Sequence, residues 1–335
     1  MHSILRNKLL LVTYAMTFLY ALHYAIPVYA SSSYLHKYFN SSIVSAVYLI
    51  GSTLALIASI GIAKSIKRVH TYEFTFGVAI AEIIIITLFG RTNDIYLLPV
   101  FFVIHFVLQT LLYICLNIFI ESFSKHAQIG SIRGLFLAIL NLGILISPLI
   151  GGMILTVSSF ATLYTVAALT LVPFLFCLYK FLHHIPDPAY HEINLFEAAR
   201  KAFNNKNLTA AIVAEFVVQA FYATMIIYSP IYLRTLGIPL TAYMTIIIPI
   251  ALLPLVILPY ELGLLADKKF GEKEMLIIGL LVLIVSTFLC VIVNTSDIRV
   301  WTLIFLISRI GASFVETMAF SYYFKKIEKE DSSLT

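Results

Sequence analysis

Ten apolar runs, each of about 20 residues, follow one another along this chain and constrain its fold more than any other feature. They cover residues 9–30, 43–63, 72–90, 96–121, 134–156, 159–181, 208–234, 242–263, 275–293 and 300–324. A helix of about 20 residues crosses the hydrocarbon core of a bilayer, and the short spacers make neighbouring helices antiparallel. The pattern therefore predicts an all-α integral membrane protein with about ten transmembrane helices.

The composition excludes several classes of function. Charged residues make up only 12% of the 335-residue chain, whereas an average soluble domain has about 25%. The net charge of +5 is spread over short loops, so we predict no nucleic-acid partner. Cys115, Cys177 and Cys290 lie inside apolar runs, and no P-loop, nucleophile elbow or metal-ligand spacing is present. We therefore predict that the protein is not an enzyme and binds neither a cofactor nor a metal.

Lysine and arginine are distributed unevenly between the two sides of the predicted membrane. If the N-terminus is cytoplasmic, 17 of them fall in inner segments and four in outer segments, with Arg309 left inside the last run. The outer four are Lys37, Arg91, Arg234 and Arg299. Because positive charge accumulates on the cytoplasmic side, we expect a multi-pass protein of the cell membrane (plasma or inner membrane) with both termini in the cytoplasm.

A long polar stretch, residues 182–207, divides six apolar runs from four. Its part from Leu195 to Phe203 has apolar residues at the spacing of a helix that lies on the membrane surface. We expect an N-terminal six-helix lobe over 1–181, a cytoplasmic linker over 182–207 and an incomplete C-terminal lobe of four helices over 208–335. Three linker histidines lack partners at ligand spacing, which favours free histidines over a metal site. They are His183, His184 and His191.

The loop after the eighth run combines glycine, aspartate and lysine at the membrane edge. It reads G-x-L-A-D-K-K-x-G-x-K from Gly263 to Lys273. Gly263 allows two helices to approach closely, Asp267 falls at the end of a membrane helix, and Gly271 gives the chain a free turn. An ordinary turn with lysines placed for topology is the alternative.

The fifth run carries small residues at regular intervals. They are Gly134, Gly143, Ser147, Pro148, Gly151 and Gly152. Small residues at such intervals form a helix face on which a neighbouring helix packs closely, and the proline adds a kink. A generic packing face is the alternative reading of this pattern.

These two motifs resemble the loop and fifth-helix signatures of the major facilitator superfamily of secondary transporters, with Ser147 in place of a glycine. The resemblance covers essentially the whole chain. It implies a two-lobe helical bundle around a central cavity and a conformational latch in the loop with Asp267. It also implies the proton-coupled export with which the fifth-helix motif is most associated. Family members have twelve helices, so we expect either a fragment or a protein that lacks the last two.

Two positions depart from the family pattern. Ser65 stands where the first-half latch would have an aspartate, and Phe106 stands where the fourth helix would have an arginine before Gln109. Both departures count against proton coupling through the fourth helix.

Charged side chains inside an apolar run are costly and are therefore candidates for function. Arg309 and Glu316 lie seven residues apart on the tenth run, hence two turns apart on one helix face. A lone arginine in mid-membrane costs about 2.5–3.5 kcal/mol on insertion scales. We therefore expect Arg309 to meet a substrate or a group on another helix, and a structural ion pair is the alternative.

The seventh run carries a second polar stripe. Glu215 and Gln219 are spaced i, i+4, and Tyr222 lies one turn further along the same face. A carboxylate in such a stripe can bind and release a proton. Exposure of Glu215 to cytoplasmic water is an equally good interpretation.

The first and fourth runs hold further polar candidates. They are Tyr20 and His23 on the first run, and His105 and Gln109 on the fourth. The family resemblance implies that the first, fourth, seventh and tenth helices line the cavity. We therefore assign these residues, with those on the seventh and tenth runs, to a cavity for substrate and coupling ion. Glu82 and Asn141 are placed at the periphery as packing or helix-bridging groups.

The sequence predicts a secondary active transporter of a small solute that works by alternating access. Its expected partners are the solute, a coupling ion assigned as the proton, and the lipid bilayer, and efflux is slightly favoured. One alternative is an uptake symporter for a sugar, organic acid or peptide. The other is a transporter-derived receptor or assembly protein that no longer transports, which the two missing helices and the residues at 65 and 106 favour.

Overall fold

The computed structural model describes residues 2–123, 129–183, 200, 203–266 and 270–332. Ten helices in this part of the chain are long and apolar enough to cross a membrane. We number them α1 (His2–Leu35), α2 (Ser41–Val69), α3 (Thr71–Arg91), α4 (Leu97–Phe123), α5 (Ile129–Val157), α6 (Phe160–Leu182), α7 (Lys206–Thr235), α8 (Leu240–Leu265), α9 (Glu272–Ile292) and α10 (Ile298–Ser332). The predicted all-α class and helix count are confirmed.

Short polar residues start four of these helices. Side-chain oxygens of Asn40, Asp94, Ser159 and Asp297 accept hydrogen bonds from backbone N–H groups at the starts of α2, α4, α6 and α10. The first N–H groups of a helix have no partner within it, and Asn, Asp and Ser supply one. These four helices therefore begin at defined residues.

Large apolar side chains cover the outside of the helices. On α9, seven of them are more than half exposed: Ile277, Leu281, Ile284, Val285, Phe288, Val291 and Ile292. Soluble proteins do not expose apolar surface on this scale, whereas lipid solvates it without cost. The chain is a multi-pass integral membrane protein.

The chain forms two compact units, Met1–His191 and Glu192–Thr335, called here the first and second unit. In the first unit, α1 packs against α4, α5 and α6, and α3 packs against α4 and α6. In the second unit, α10 packs against α7, α8 and α9. The helices α1 and α10 therefore carry their polar side chains into the interiors of the two units.

Close helix contacts in both units depend on glycine. A Cβ atom added at Gly143 on α5 would overlap the Cβ atom of Ala21 on α1. A Cβ atom added at Gly311 on α10 would lie 3.0 Å from the carbonyl oxygen of Gly279 on α9. In contrast, a Cβ atom at Gly134 would have no neighbour within 4 Å among the described residues. Gly134 and Gly143, which belong to the same fifth-helix motif, therefore have different structural roles.

Replacing Gly143 by leucine is expected to lower the free energy of unfolding, since α1 and α5 must separate to admit the side chain. Overpacking typically costs about 1–3 kcal/mol. Gly134→Leu is the matched control and should leave stability unchanged or slightly higher, because leucine favours helix more than glycine does. Thermal unfolding of the purified variants in detergent measures both. Equal effects of the two substitutions would contradict the α1–α5 contact.

Candidate functional site

Three ionisable side chains meet in the interior of the first unit: His23 of α1, Glu82 of α3 and His105 of α4. We call them the histidine–glutamate cluster. The Nε2 atom of His23 lies 2.9 Å from Oε1 of Glu82, and Nδ1 of His105 contacts the same oxygen. All three side chains are buried, with exposed fractions of 0%, 0% and 4%. The two histidines assigned to a cavity from the sequence thus lie on either side of one carboxylate.

The neighbours of the cluster fix its geometry. The Nδ1 atom of His23 lies 3.0 Å from the carbonyl oxygen of Ala167 on α6, so four helices contribute to the arrangement. The second carboxylate oxygen of Glu82, Oε2, is buried and has no hydrogen-bond partner among the described residues. The carboxylate therefore retains an unused acceptor in the interior of the unit.

From the sequence, Glu82 is expected at the periphery as a packing or helix-bridging group. It does bridge helices, since it contacts His23 of α1 and His105 of α4, but its side chain is fully buried. Its position follows a helical pattern, because the fully buried residues of α3 recur at alternating intervals of four and three. They are Thr75, Ala79, Glu82, Ile86 and Phe89. A carboxylate that keeps step with a buried stripe faces the interior. That spacing was the available signal.

Tyr20 and Gln109 also meet in the first unit. The Tyr20 hydroxyl donates a hydrogen bond of 2.9 Å to the backbone carbonyl of Gln109, and both side chains are buried. The Tyr20 ring stacks between Tyr24 and Tyr113, with ring centroids 6.3 and 6.0 Å away. The four residues predicted on the first and fourth runs therefore connect α1 and α4 in two places. His23 and His105 meet through Glu82, and Tyr20 bonds directly to Gln109.

Arg309 is buried in the second unit, with an exposed fraction of 1%. Its Cζ atom lies 4.8 Å from the ring centroid of Tyr222 and 5.6 Å from that of Phe221, both on α7. Its Nε and Nη1 atoms have no hydrogen-bond partner, and no carboxylate lies within ion-pair distance, among the described residues. Aromatic faces attract a cation, but they do not satisfy its N–H donors.

Glu316 is connected to the arginine through one tyrosine. The Tyr222 hydroxyl donates a hydrogen bond of 2.9 Å to Oε2 of Glu316, while the same tyrosine ring faces Arg309. Glu316 is half-buried. We call Arg309, Phe221, Tyr222 and Glu316 the arginine site.

Glu215 and Gln219 form the local pair that their spacing predicts. The Gln219 amide donates a hydrogen bond of 2.7 Å to Oε1 of Glu215 in exposed surroundings. The hydroxyl of Tyr222, predicted to extend their stripe, bonds Glu316 instead. Among the described residues, the pair makes no hydrogen bond to the arginine site.

The motif residues lie as follows. On α5, Ser147 is buried and its hydroxyl donates a hydrogen bond of 2.7 Å to the Gly143 carbonyl. Three further motif residues on this helix are also buried: Pro148, Gly151 and Gly152.

In the loop motif, Gly271 has a φ of 77°, a left-handed conformation that favours glycine, and it precedes α9. Lys273 lies over the ring of Tyr322, with its Nζ atom 5.6 Å from the ring centroid. A Cβ atom added at Gly263 would have no neighbour within 4 Å among the described residues, so the close helix approach expected at this glycine is not seen there. Asp267 lies outside the described residues, as do His184, His191 and most of the predicted surface helix from Leu195 to Phe203, of which the structure describes residues 200 and 203.

Comparison with protein families found a match to the family described as Major Facilitator Superfamily, over residues 13–334. No curated protein sequence matched the chain significantly.

Solved structures of transporters match the fold over nearly the whole chain. A bacterial homologue of the human lysosomal transporter Spinster matches with a TM-score of 0.70 and 13% identity, covering 95% of this chain and 75% of that one. The nucleoside transporter NupG matches with a TM-score of 0.74 and 14% identity, covering 97% and 82%. A D-xylose–proton symporter matches with a TM-score of 0.64 and 14% identity, covering 94% and 87%. At these identities the likeness shows the fold alone.

Proposed function

The chain belongs to the major facilitator superfamily, and we propose that it is a secondary active transporter of a small solute. In this proposal the protein works by alternating access, is coupled to protons and exports its solute. The family consists of transporters, and the fifth-helix motif supports export. No step of this function requires an enzymatic reaction or a cofactor.

The observation that carries the proposal is the buried Arg309. A charged side chain in a membrane helix is retained when it serves a site, because its insertion costs free energy. Two of its nitrogen atoms lack partners among the described residues, and aromatic rings flank it. An oxygen of a bound solute would supply the missing acceptor. We therefore assign Arg309 to solute binding.

The coupling proton is assigned to Glu316. This carboxylate is half-buried and accepts a hydrogen bond from Tyr222, whose ring contacts the arginine. Proton binding would change the charge of Glu316 from negative to neutral. Because Arg309 lies across the same tyrosine, the change would alter the electrostatic potential at the solute. Solute binding and proton binding would thereby influence each other.

The orientation in the membrane is part of the proposal. The excess of lysine and arginine in the segments on the side of the N-terminus supports a cell-membrane protein with both termini in the cytoplasm. The loop from Gly263 to Lys273 then lies on the cytoplasmic face. There it would hold neighbouring helices in one of the two alternating states.

A second candidate function, uptake of an organic acid together with protons, is favoured by the same arginine. A buried guanidinium prefers an anionic group to a neutral one. Transporters of nucleosides and of D-xylose share the fold, so neutral solutes belong in the same test.

Proton movement in reconstituted vesicles tests the function. Purified protein is inserted into vesicles loaded with a pH-sensitive dye, and D-xylose, uridine, lactate, dialanine and ethidium are added in turn. We expect at least one probe to move protons: against the solute in an exporter, with the solute in a symporter. Protein-free vesicles are the control. Intact inserted protein that moves no protons with any probe would favour the non-transporting alternative.

Replacing Asp267 by asparagine is expected to slow transport about tenfold or more without affecting membrane insertion. Charge-assisted hydrogen bonds contribute about 1.5–3 kcal/mol, and the family resemblance implies that this aspartate stabilises one of the two states. Glu261→Gln is the matched control, since Glu261 is an exposed carboxylate near the end of α8. The rate of probe-driven proton movement is the measurement. A normal rate in Asp267→Asn would remove the latch from the proposal.

A further inference from the structure

Although the sequence predicts no metal site, we propose that the histidine–glutamate cluster of the first unit is a binding site for a divalent transition-metal ion of the Zn²⁺ type. Its three ligand atoms, two imidazole nitrogens and one carboxylate oxygen, lie within 4.8 Å of one another. In a tetrahedral zinc site the metal–ligand distances are about 2.0–2.2 Å, which places ligand atoms about 3.4 Å apart. Small side-chain movements therefore bring all three atoms to coordination distance.

The hydrogen bond of His23 to α6 identifies its ligand atom. A carbonyl oxygen only accepts, so Nδ1 of His23 carries the hydrogen that Ala167 receives. In a neutral imidazole, Nε2 then has the lone pair, and it faces Glu82 Oε1 at 2.9 Å. Metal-binding histidines typically donate their other N–H to a carbonyl or carboxylate in this way, which fixes the ring orientation.

The lone pairs of His23 Nε2 and Glu82 Oε1 face each other, so a cation must lie between the two atoms. Either a proton or a metal ion can fill this position. Two further observations favour the metal. His105 contacts the same carboxylate oxygen as His23, so three potential ligand atoms from three helices converge on one point. The buried Oε2 of Glu82 has no partner among the described residues. A metal ion bound by both histidines could take either carboxylate oxygen.

The donor set selects the class of metal. Two imidazoles and one carboxylate suit zinc and its first-row neighbours, whereas Mg²⁺ and Ca²⁺ prefer oxygen ligands alone. The ligands come from three helices, α1, α3 and α4. A bound ion would therefore join these helices and stabilise the first unit. This inference is independent of the proposed transport function, because metal binding is measured without a solute or a proton gradient.

Metal titration of the full chain in detergent tests the proposal, with protein purified through a tag that contains no histidine. We expect one Zn²⁺ or Co²⁺ per chain, a visible Co²⁺ spectrum typical of tetrahedral nitrogen and oxygen ligands, and a rise in the thermal unfolding temperature on metal addition. His23→Gln, Glu82→Gln and His105→Gln should each lower the affinity at least about 100-fold, since loss of a mere supporting contact costs about 10–100-fold.

Two controls separate this site from other histidines of the chain. His36→Gln removes a half-buried imidazole of the first unit that lies outside the cluster, and it should leave the affinity unchanged. A variant in which His183, His184 and His191 are all replaced by asparagine removes the linker histidines and should also bind normally.

Three results would overturn the proposal. One is monodisperse wild-type protein that binds no stoichiometric metal, which would mean that the cluster holds protons only. Another is binding that the linker variant loses and the cluster variants keep. The last applies if the cluster variants do not fold, so that only the wild-type protein can be measured. The proposal is then overturned if Co²⁺ added to the wild type keeps the spectrum of the octahedral, water-ligated ion and does not raise the unfolding temperature.

Discussion

Replacing Arg309 by methionine is expected to lower probe-driven proton movement at least about 100-fold while leaving the fold as stable as before, or more so. Methionine keeps an unbranched apolar chain for contact with Phe221 and Tyr222. It removes a buried charge with two nitrogen atoms that have no hydrogen-bond partner in the described part of the chain, and an unsatisfied buried donor costs about 1–3 kcal/mol. Loss of one partner from a buried charge pair costs about 2–5 kcal/mol, which accounts for the expected loss of transport.

Loss of transport without loss of stability distinguishes a residue that binds the solute from one that holds the fold together. Transport is measured in vesicles with the probe that is active for the wild type, and stability by thermal unfolding in detergent. Arg299→Met, at the exposed start of α10, is the matched control and should change neither quantity. If Arg309→Met loses stability and transport together, the arginine serves the fold. Normal transport in this variant would exclude it from the solute site.

The helices were predictable because the membrane requires them. Each run had to be long, apolar and helical to satisfy its backbone hydrogen bonds in lipid, so the sequence yields ten helices with ends near those observed. The start of α2 is set by Asn40 and that of α10 by Asp297, which are local signals. The packing of one helix on another depends on which face each presents. Glycines such as Gly143 indicate that face, as does the spacing of Glu82 within α3.

The candidate sites were partly predictable for the same reason. Glu215 and Gln219 lie on one helix four residues apart, so their hydrogen bond follows from helix geometry. Contacts between helices do not follow from it: Glu82 bonds a histidine 59 residues away. Such contacts depend on the rotation of each helix about its axis, which the tertiary packing sets.

Replacing Glu316 by glutamine is expected to abolish solute accumulation driven by a pH gradient while preserving exchange of solute across the membrane. Glutamine keeps an oxygen that accepts the hydrogen bond from Tyr222, but it cannot release a proton. A difference of one pH unit is worth about 1.4 kcal/mol per proton, so about tenfold accumulation should disappear. Exchange needs only reorientation of the loaded protein, which the uncharged side chain permits.

Accumulation and exchange of the active probe are measured in the same vesicles, so a failure to fold or to bind the solute would reduce both. Glu215→Gln is the matched control, because it neutralises the second carboxylate that the sequence assigns to the cavity, and this carboxylate pairs with Gln219 in exposed surroundings. Accumulation should persist in this control. If Glu215→Gln abolishes accumulation and Glu316→Gln does not, the coupling proton binds at the exposed pair on α7. In that case Tyr222 would connect Arg309 to a carboxylate with no part in coupling, and Glu316 would act only in positioning the tyrosine ring against the arginine.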